Sequence, residues 1–339
     1  MLRPRLAALI GTFLLCGAAP AQPDTTLQPY AKPQQLAALP DGRRIHVFCM
    51  GQGSPTVILS AGAGNWLETW RTVQSKIAQK TRVCAWDRAG YGFSSPSTEP
   101  QDVVHTSRDM AEALKSAGIR GPYILVGHSL GGYESLLFAD GHPHDVVGMV
   151  LEDPSFPDQP AVWRQSAPEY WAYSDALTQQ GIDALKRCGS GLRTGAVKIG
   201  SPDPDSCLTL PAEYPADLQA NFLKIRVDPA RSMTKASFLE HTATDGAQLV
   251  NPSRNYGSMP LIVLTAGSPA LPQGAPKATV ADAEKFFVEW SRAHDSMAKL
   301  SSDGSNRTVD GSSHYIHLIK PQVVIDAVNE VILKARRPN

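Results

Sequence analysis

The chain has 339 residues, of which 42% are hydrophobic and 19% are charged, with 32 basic and 32 acidic side chains. This length and apolar content can bury a sizeable core, which excludes a disordered chain. The balanced charge excludes a protein that binds nucleic acid through a broad basic surface, so we expect no nucleic-acid partner. Length alone allows two domains or one α/β domain with an inserted module.

The first 21 residues have the pattern of a secretory signal peptide. Arg3 and Arg5 supply positive charge, residues 6–15 are apolar, and small residues at Ala19 and Ala21 precede a cleavage site. The apolar run is shorter than the roughly 20 residues that span a bilayer. We therefore expect cleavage after Ala21, a secreted or periplasmic location, and no stable membrane span in the mature chain.

Removal of this segment would leave four cysteines in an oxidising compartment, where disulfides are favoured. Cys188 and Cys207 lie in one loop-rich stretch and are predicted to pair. Cys49 and Cys84 lie in two predicted strands and can pair only if those strands are neighbours; otherwise they are buried free thiols. No cysteine and histidine spacing is typical of a zinc site, so we expect no metal.

A Pro-rich linker at residues 22–33 precedes a regular alternation of strands and helices. The predicted strands lie in GRRIHVFCMG, PTVILSAGAG, TRVCAWDRAGYG, PYILVGHSLGG and VVGMVLEDP. The predicted helices lie in NWLETWRTVQSKIAQ, SRDMAEALKSAGI and YESLLFADGHP. In the first of these, Trp66, Trp70, Val73 and Ile77 share one helical face. Such alternation predicts a mostly parallel, doubly wound sheet with helices on both faces.

The alternation stops at residues 155–258, which contain many prolines and no strong strand. An aromatic group lies there, composed of Trp163, Tyr170, Trp171 and Tyr173. The pattern resumes with PLIVLTAG, a helix around residues 281–298, a short strand near 307–309 and a final helix after Pro321. The final segment is too short for a core of its own. Residues 34–154 and 259–339 are therefore predicted to form one α/β domain with an insertion at 155–258.

A serine motif lies between a predicted strand and a predicted helix. Residues 127–131 read Gly-His-Ser-Leu-Gly, which fits G-x-S-x-G in the context that gives this pattern meaning. Gly127 and Gly131 leave room for a sharp turn. The turn would lift the Ser129 hydroxyl above the carboxyl edge of the sheet, and the helix N-terminus favours developing negative charge there. Ser129 is therefore the candidate nucleophile.

On these residues the sequence resembles the α/β-hydrolase superfamily, and its serine esterases and lipases in particular. SAGAGN resembles the family's oxyanion loop, with Ala61 where histidine is common; DRAGYGFS resembles the turn after the fourth strand; GSSHYIHLIKP resembles the segment that holds the catalytic histidine. The resemblance implies a helical cap between the sixth and seventh strands and no cofactor. It also implies that the second and fourth strands are neighbours, which favours a Cys49–Cys84 disulfide.

A serine hydroxyl needs a base to remove its proton. The resemblance places this base at His314, in a Gly- and Ser-rich loop seven residues before Pro321. His317 is the alternative base. His128 is predicted to be structural, because adjacent residues on such a turn point apart.

The base needs a carboxylate that orients it. The family most often places this acid after the seventh strand, but here Ser268 and Pro269 follow that strand and no acid is near. A minority of members place it one strand earlier, which points to Asp153. Glu152 and Asp303 remain alternatives.

The oxyanion that forms during acyl transfer needs two N–H donors. By the family's register they are the backbone N–H groups of Leu130 and Ala63. The sequence therefore predicts an exported serine hydrolase that cleaves small carboxylic esters, apolar on one side, through an acyl-enzyme. A lactonase, an acyltransferase and a peptidase are alternatives with the same three residues, and a non-catalytic binding protein is a remote one.

Overall fold

The structure is a computed structural model that describes residues 24–269, 271 and 275–337. The predicted signal peptide at residues 1–21 lies outside the described residues.

Eight strands of the described chain form one sheet in the order β1-β2-β4-β3-β5-β6-β7-β8. Their bounds are β1 Gln35–Ala38, β2 Arg44–Met50, β3 Thr56–Ser60, β4 Val83–Trp86, β5 Tyr123–His128, β6 Val146–Glu152, β7 Leu261–Ala266 and β8 Gly304–Val309. The strands β1, β2 and β4 pair antiparallel, and all other pairs are parallel. The predicted mostly parallel sheet is confirmed, with the short strand β1 added.

Helices cover both faces of this sheet. The α-helices are α1 Gln74–Ile77, α2 Val103–Ser116, α3 Gly131–Gly141, α4 Gln159–Ser166, α5 Pro168–Thr194, α6 Ala216–Arg226, α7 Pro229–Gln248, α8 Lys277–Ala298, α9 Ile316–Ile319 and α10 Pro321–Ala335. Two 3₁₀ helices span Thr25–Tyr30 and Leu67–Thr72. The strands β3, β4, β5 and β7 are buried along their whole length, because helices on both faces exclude water from their Val, Ile and Leu side chains.

Four helices, α4 to α7, lie between β6 and β7 and are called the cap below. Within the cap, α5 packs along α7. A buried hydrogen bond links the cap to the core, since the Val103 N–H at the start of α2 donates to Asp245 Oδ1 of α7 at 3.1 Å. None of the described helices combines the length and the apolar character needed to cross a bilayer.

Both predicted disulfides are present in the structure. Cys49 of β2 lies opposite Cys84 of β4 and is bonded to it, because these strands are neighbours. Cys188 is bonded to Cys207. The loop setting predicted for Cys188 is wrong, since this residue lies in the long helix α5.

Two local predictions differ from the structure. The part of the predicted linker that is described is folded: Leu27 and Tyr30 are buried, and the Tyr30 hydroxyl donates to Gln74 Oε1 at 2.9 Å. The helix predicted around Trp70 is a 3₁₀ helix followed by the short α1. Its predicted buried face is present, because Trp70 and Ile77 are both inaccessible to solvent.

Candidate active site

Ser129 occupies the sharp turn that joins β5 to α3. Its φ is +53°, in the left-handed region that costs a residue with a side chain about 1–2 kcal/mol. The turn is held by backbone hydrogen bonds: the Ser129 N–H donates to Glu152 O at 3.0 Å, and Ser129 O accepts the N–H groups of Gly132 and Ser155.

Two glycines allow this turn to pack against its neighbours. A Cβ at Gly127 would lie 2.4 Å from Gly131 O, and a Cβ at Gly131 would lie 2.2 Å from Ser60 O. Both distances are far inside van der Waals contact with backbone atoms. Positions 127 and 131 therefore accept only glycine in this arrangement.

Asp153 and His314 meet at the carboxyl edge of the sheet. Asp153 follows β6, His314 lies in the loop after β8, and Asp153 Oδ2 is 2.6 Å from His314 Nδ1. Asp153 Oδ1 accepts the Ala266 N–H at 2.9 Å and the Trp290 Nε1–H at 2.8 Å. Burial raises the pKa of Asp153, but the hydrogen bond and charge of His314 lower it further, to below its ordinary value. The carboxyl is therefore ionised at neutral pH.

A cavity of about 170 Å³ brings Ser129, Asp153 and His314 together. No hydrogen bond joins the Ser129 hydroxyl to His314 in the described part of the chain, although both residues line this space. Such contacts are often long in an enzyme without substrate and tighten when substrate binds.

Helix α8 supports Asp153 from behind. Besides Trp290, this helix contributes His294, which lies 2.7 Å from Thr265 Oγ1 through Nδ1 and 2.8 Å from Pro154 O through Nε2. Burial lowers the pKa of His294, so its ring is neutral. Sequence reasoning missed both residues. The available signal was two ring N–H side chains four residues apart on one helix face.

The alternative base and one alternative acid form a pair of their own. Glu152 Oε1 accepts the His317 N–H at 2.8 Å and lies 2.7 Å from His317 Nδ1, while His317 Nε2 lies 2.8 Å from Thr69 Oγ1. Both side chains are completely buried, and neither lines the cavity that contains Ser129. The other alternative acid, Asp303, precedes β8 at the opposite edge of the sheet, where it pairs with Lys334.

His128 lies between the two histidine–carboxylate pairs, with its ring centroid 4.6 Å from that of His314 and 4.9 Å from that of His317. Its Nε2 lies 2.9 Å from His314 O. Burial and the neighbouring histidines lower the pKa of His128 well below its ordinary value, so the ring is neutral. We assign its one proton to Nε2, where it faces the His314 carbonyl. His128 therefore holds the backbone of His314.

Three buried side chains could offer ligand atoms to a metal: His128, Glu152 and His317 have such atoms within 4.8 Å of one another. Both nitrogens of His317 are already within hydrogen-bond distance of Glu152 and Thr69. A metal on this set would have to displace those contacts. The arrangement fits a hydrogen-bonded network better than a metal centre.

The predicted oxyanion donors border the same space as Ser129. Leu130 and Ala63 line a second part of the site together with Ser129. Arg88 fixes the loop before Ala63, because its guanidinium donates to the carbonyls of Ala61 and Gly62 at 2.6 and 3.1 Å and pairs with Glu134. These contacts fix the loop beside Ser129.

The chain matches the α/β hydrolase fold family over residues 55–321. It is 25% identical to the uncharacterized protein YqjL of Bacillus subtilis, over 83% of this chain and 85% of that protein. A thermophilic esterase from Thermogutta terrifontis shares the fold with a TM-score of 0.56 and 18% identity, over 90% of this chain and 100% of the esterase. An epoxide hydrolase from Bacillus megaterium is similarly related, with a TM-score of 0.59 and 17% identity over 88% and 100% of the two chains.

Proposed function

This chain belongs to the α/β hydrolase fold family, and from that premise we propose that it is a serine hydrolase that cleaves carboxylic esters. One observation carries the proposal: Ser129, His314 and the ionised Asp153 border one cavity at the carboxyl edge of the sheet, with His314 and Asp153 in contact.

In this proposal each side chain has a role that its contacts support. Because Nδ1 of His314 is committed to Asp153, its Nε2 is the atom that takes the Ser129 proton as the hydroxyl attacks the ester carbonyl. The same proton then passes to the leaving alcohol. Water, activated by His314, releases the acyl group from Ser129.

The backbone N–H groups of Leu130 and Ala63 stabilise the oxyanion in this proposal. Within the described chain neither N–H is donated to another protein group. Each such donor contributes roughly 3 kcal/mol to stabilising the transition state. No cofactor is needed for these steps.

An aromatic wall makes one side of the proposed substrate apolar. Trp163, Phe286 and Trp290 line the cavity around Ser129, and Trp163 stacks on Phe286 with ring centroids 4.7 Å apart. A cavity of about 170 Å³ accommodates a short apolar acyl or alcohol group rather than a folded polypeptide. Small esters are therefore favoured over proteins as substrates.

A substrate panel tests this function. We expect kcat/KM to be highest for short p-nitrophenyl esters and lower for lactones and peptides, with a burst that reports acyl-enzyme formation. We also expect a fluorophosphonate probe to label the protein once per chain. Acyl transfer to an added alcohol in preference to water would identify the acyltransferase alternative. Absence of both turnover and labelling would support the alternative hypothesis that the protein binds a ligand without catalysing a reaction.

We further propose that the protein is exported. The pattern of residues 1–21 supports export, and the two disulfides are compatible with an oxidising compartment. Chain recovered from the periplasm or medium is expected to begin at Gln22 by intact-mass measurement. An Ala21→Lys variant, which places a large charged residue before the cleavage site, is the matched control and should keep its full length. Unprocessed wild-type chain confined to the cytoplasm would contradict export.

A further inference from the structure

A second cavity, of about 500 Å³, lies between the cap and the core. Cap helices α5, α6 and α7, together with the loop that joins α5 to α6, form most of its wall, and core residues such as Gly64 and Tyr91 complete it. We call it the cationic cavity because three basic side chains line it: Arg226 of α6, and Arg231 and Lys235 of α7.

The three cations have few partners in the protein. None of them forms an ion pair with a described carboxylate. The guanidinium of Arg226 donates to Thr209 O, and that of Arg231 donates to Gly92 O at 3.2 Å. The ammonium of Lys235 has no hydrogen-bond acceptor within the described chain and lies 5.2 Å from the centre of the Tyr91 ring.

Two carboxylates also line the cavity, but other arginines neutralise them. Glu68 pairs with Arg71 at 3.0 Å, and Asp205 pairs with Arg187 at 2.7 Å. Neither of these arginines lines the cavity. The two acids of the cavity wall are therefore committed to other partners, and the negative charge that acts on the three cations comes from aspartates outside the wall, Asp87, Asp203 and Asp228.

The cationic cavity begins beside the proposed reaction centre. Gly64 in its wall directly follows Ala63, the proposed oxyanion donor. Leu239 of α7 lines both the cationic cavity and the space that contains Ser129. Leu239 therefore borders both spaces, and the proposal below requires that a small molecule whose carbonyl reaches Ser129 extend past this side chain toward the three cations.

We propose that the cationic cavity binds an anionic group, carboxylate or phosphate, on the ester substrate whose carbonyl reacts at Ser129. The ester reaction in this inference rests on the proposed function. The binding of the anionic group rests only on the residues of the cationic cavity. Like charges that line one cavity repel each other, and an anion between them removes that repulsion and accepts their N–H groups in charge-assisted hydrogen bonds.

The ionisation of Lys235 supports this assignment. Burial, with the positive charges of Arg226 and Arg231, lowers the pKa of Lys235 to about 7, against the opposing charge of Asp87. Tyr91 below the ammonium stays neutral, because burial raises its pKa. An anion stabilises the protonated amine, so binding is accompanied by proton uptake near neutrality. Affinity should therefore fall as the pH rises through about 7.

The kinetic test compares esters of similar length, of which one carries an anionic group at its end and the other an uncharged alkyl group. The acyl pair is p-nitrophenyl hydrogen glutarate and p-nitrophenyl pentanoate, and the alcohol pair is 2-acetoxyethyl phosphate and butyl acetate. We expect the charged member of at least one pair to have a kcat/KM at least about tenfold higher. Lys235→Met should reduce this preference about tenfold. Arg231→Gln should reduce it to a similar extent and serves as a second variant if Lys235→Met folds poorly. Lys224→Met removes an exposed charge from α6 and is the matched control, with the preference retained.

A binding test separates this inference from the proposed function. The Ser129→Ala variant is titrated by calorimetry with glutarate and with inorganic phosphate at pH 6 and pH 8. We expect saturable binding of at least one anion, weaker at pH 8 and weaker again after Lys235→Met. Hydrolysis of neutral esters with no charge preference and no anion binding would overturn the inference and leave the function intact. Lys235-dependent binding without any ester hydrolysis would support the anion site and refute the function.

Discussion

Replacement of Ser129 by alanine is expected to lower kcat for ester hydrolysis by about 10⁵- to 10⁶-fold, which is the scale seen when a nucleophilic serine is removed. Fluorophosphonate labelling should disappear with the activity. The reason is that alanine removes the one atom that forms the acyl-enzyme, while the oxyanion donors and His314 stay in place.

The fold of this variant should be unchanged. The backbone of Ser129, and not its hydroxyl, makes the hydrogen bonds that hold the turn, and alanine adopts the same φ at a similar cost. Thermal melting should therefore match that of the wild type within a few degrees. Ser166→Ala is the matched control, because the Ser166 hydroxyl donates to Val162 O within α4 and should matter to neither labelling nor turnover. Full ester hydrolysis by Ser129→Ala would refute the proposed nucleophile.

The parts of the site that depend on local spacing could be predicted from sequence. The turn at Ser129 follows from two glycines around a serine between an apolar strand and a helix. Asp153 could be placed although it departs from the family's usual order, because no acid follows β7 and parallel strands end at the same edge of the sheet. The structure brings Asp153 within 2.6 Å of His314, as that argument requires.

The supporting contacts could not be predicted, because they join segments that are distant in the chain. Trp290 reaches Asp153 across 137 residues, and nothing in the spacing of α8 indicates which strand its buried face meets. The pairing of Glu152 with His317 is similarly remote, at 165 residues. From the sequence, Glu152 could be proposed as an alternative to Asp153, and His317 as an alternative to His314. The contact between Glu152 and His317 could not be predicted.

The cap shows the same limit on a larger scale. Prolines and the lack of strands predict an insertion, but the helices α5 to α7 follow from packing that the sequence pattern does not indicate. The cationic cavity exists only because that packing turns Arg226 and Lys235, on different helices, toward one space. A count of charges shows a neutral protein and hides this local cluster of cations.

Asp153→Asn should lower kcat by about 10⁴-fold, with a melting temperature close to that of the wild type. The contacts fix how the amide sits: the Ala266 N–H and the Trp290 Nε1–H both require an acceptor where Oδ1 lies. The amide NH₂ must then face His314 Nδ1. That nitrogen becomes an acceptor, the proton moves to Nε2, and His314 can no longer take the proton of Ser129.

Glu152→Gln and Asp303→Asn separate this assignment from its alternatives. In Glu152→Gln the amide oxygen stays at the position that accepts both His317 donors, and the NH₂ takes the Oε2 position, which has no partner in the described chain. We expect kcat to fall by less than about tenfold, because His317 keeps its place without touching the reacting atoms. Asp303→Asn breaks only an exposed pair with Lys334 and should leave kcat unchanged. The rate of fluorophosphonate labelling allows the three variants to be compared directly. Asp153→Asn should not label at the wild-type rate if Asp153 is the orienting acid. If it does, and Glu152→Gln or Asp303→Asn fails to label, the variant that fails identifies the orienting acid, and Asp153 has only a structural role.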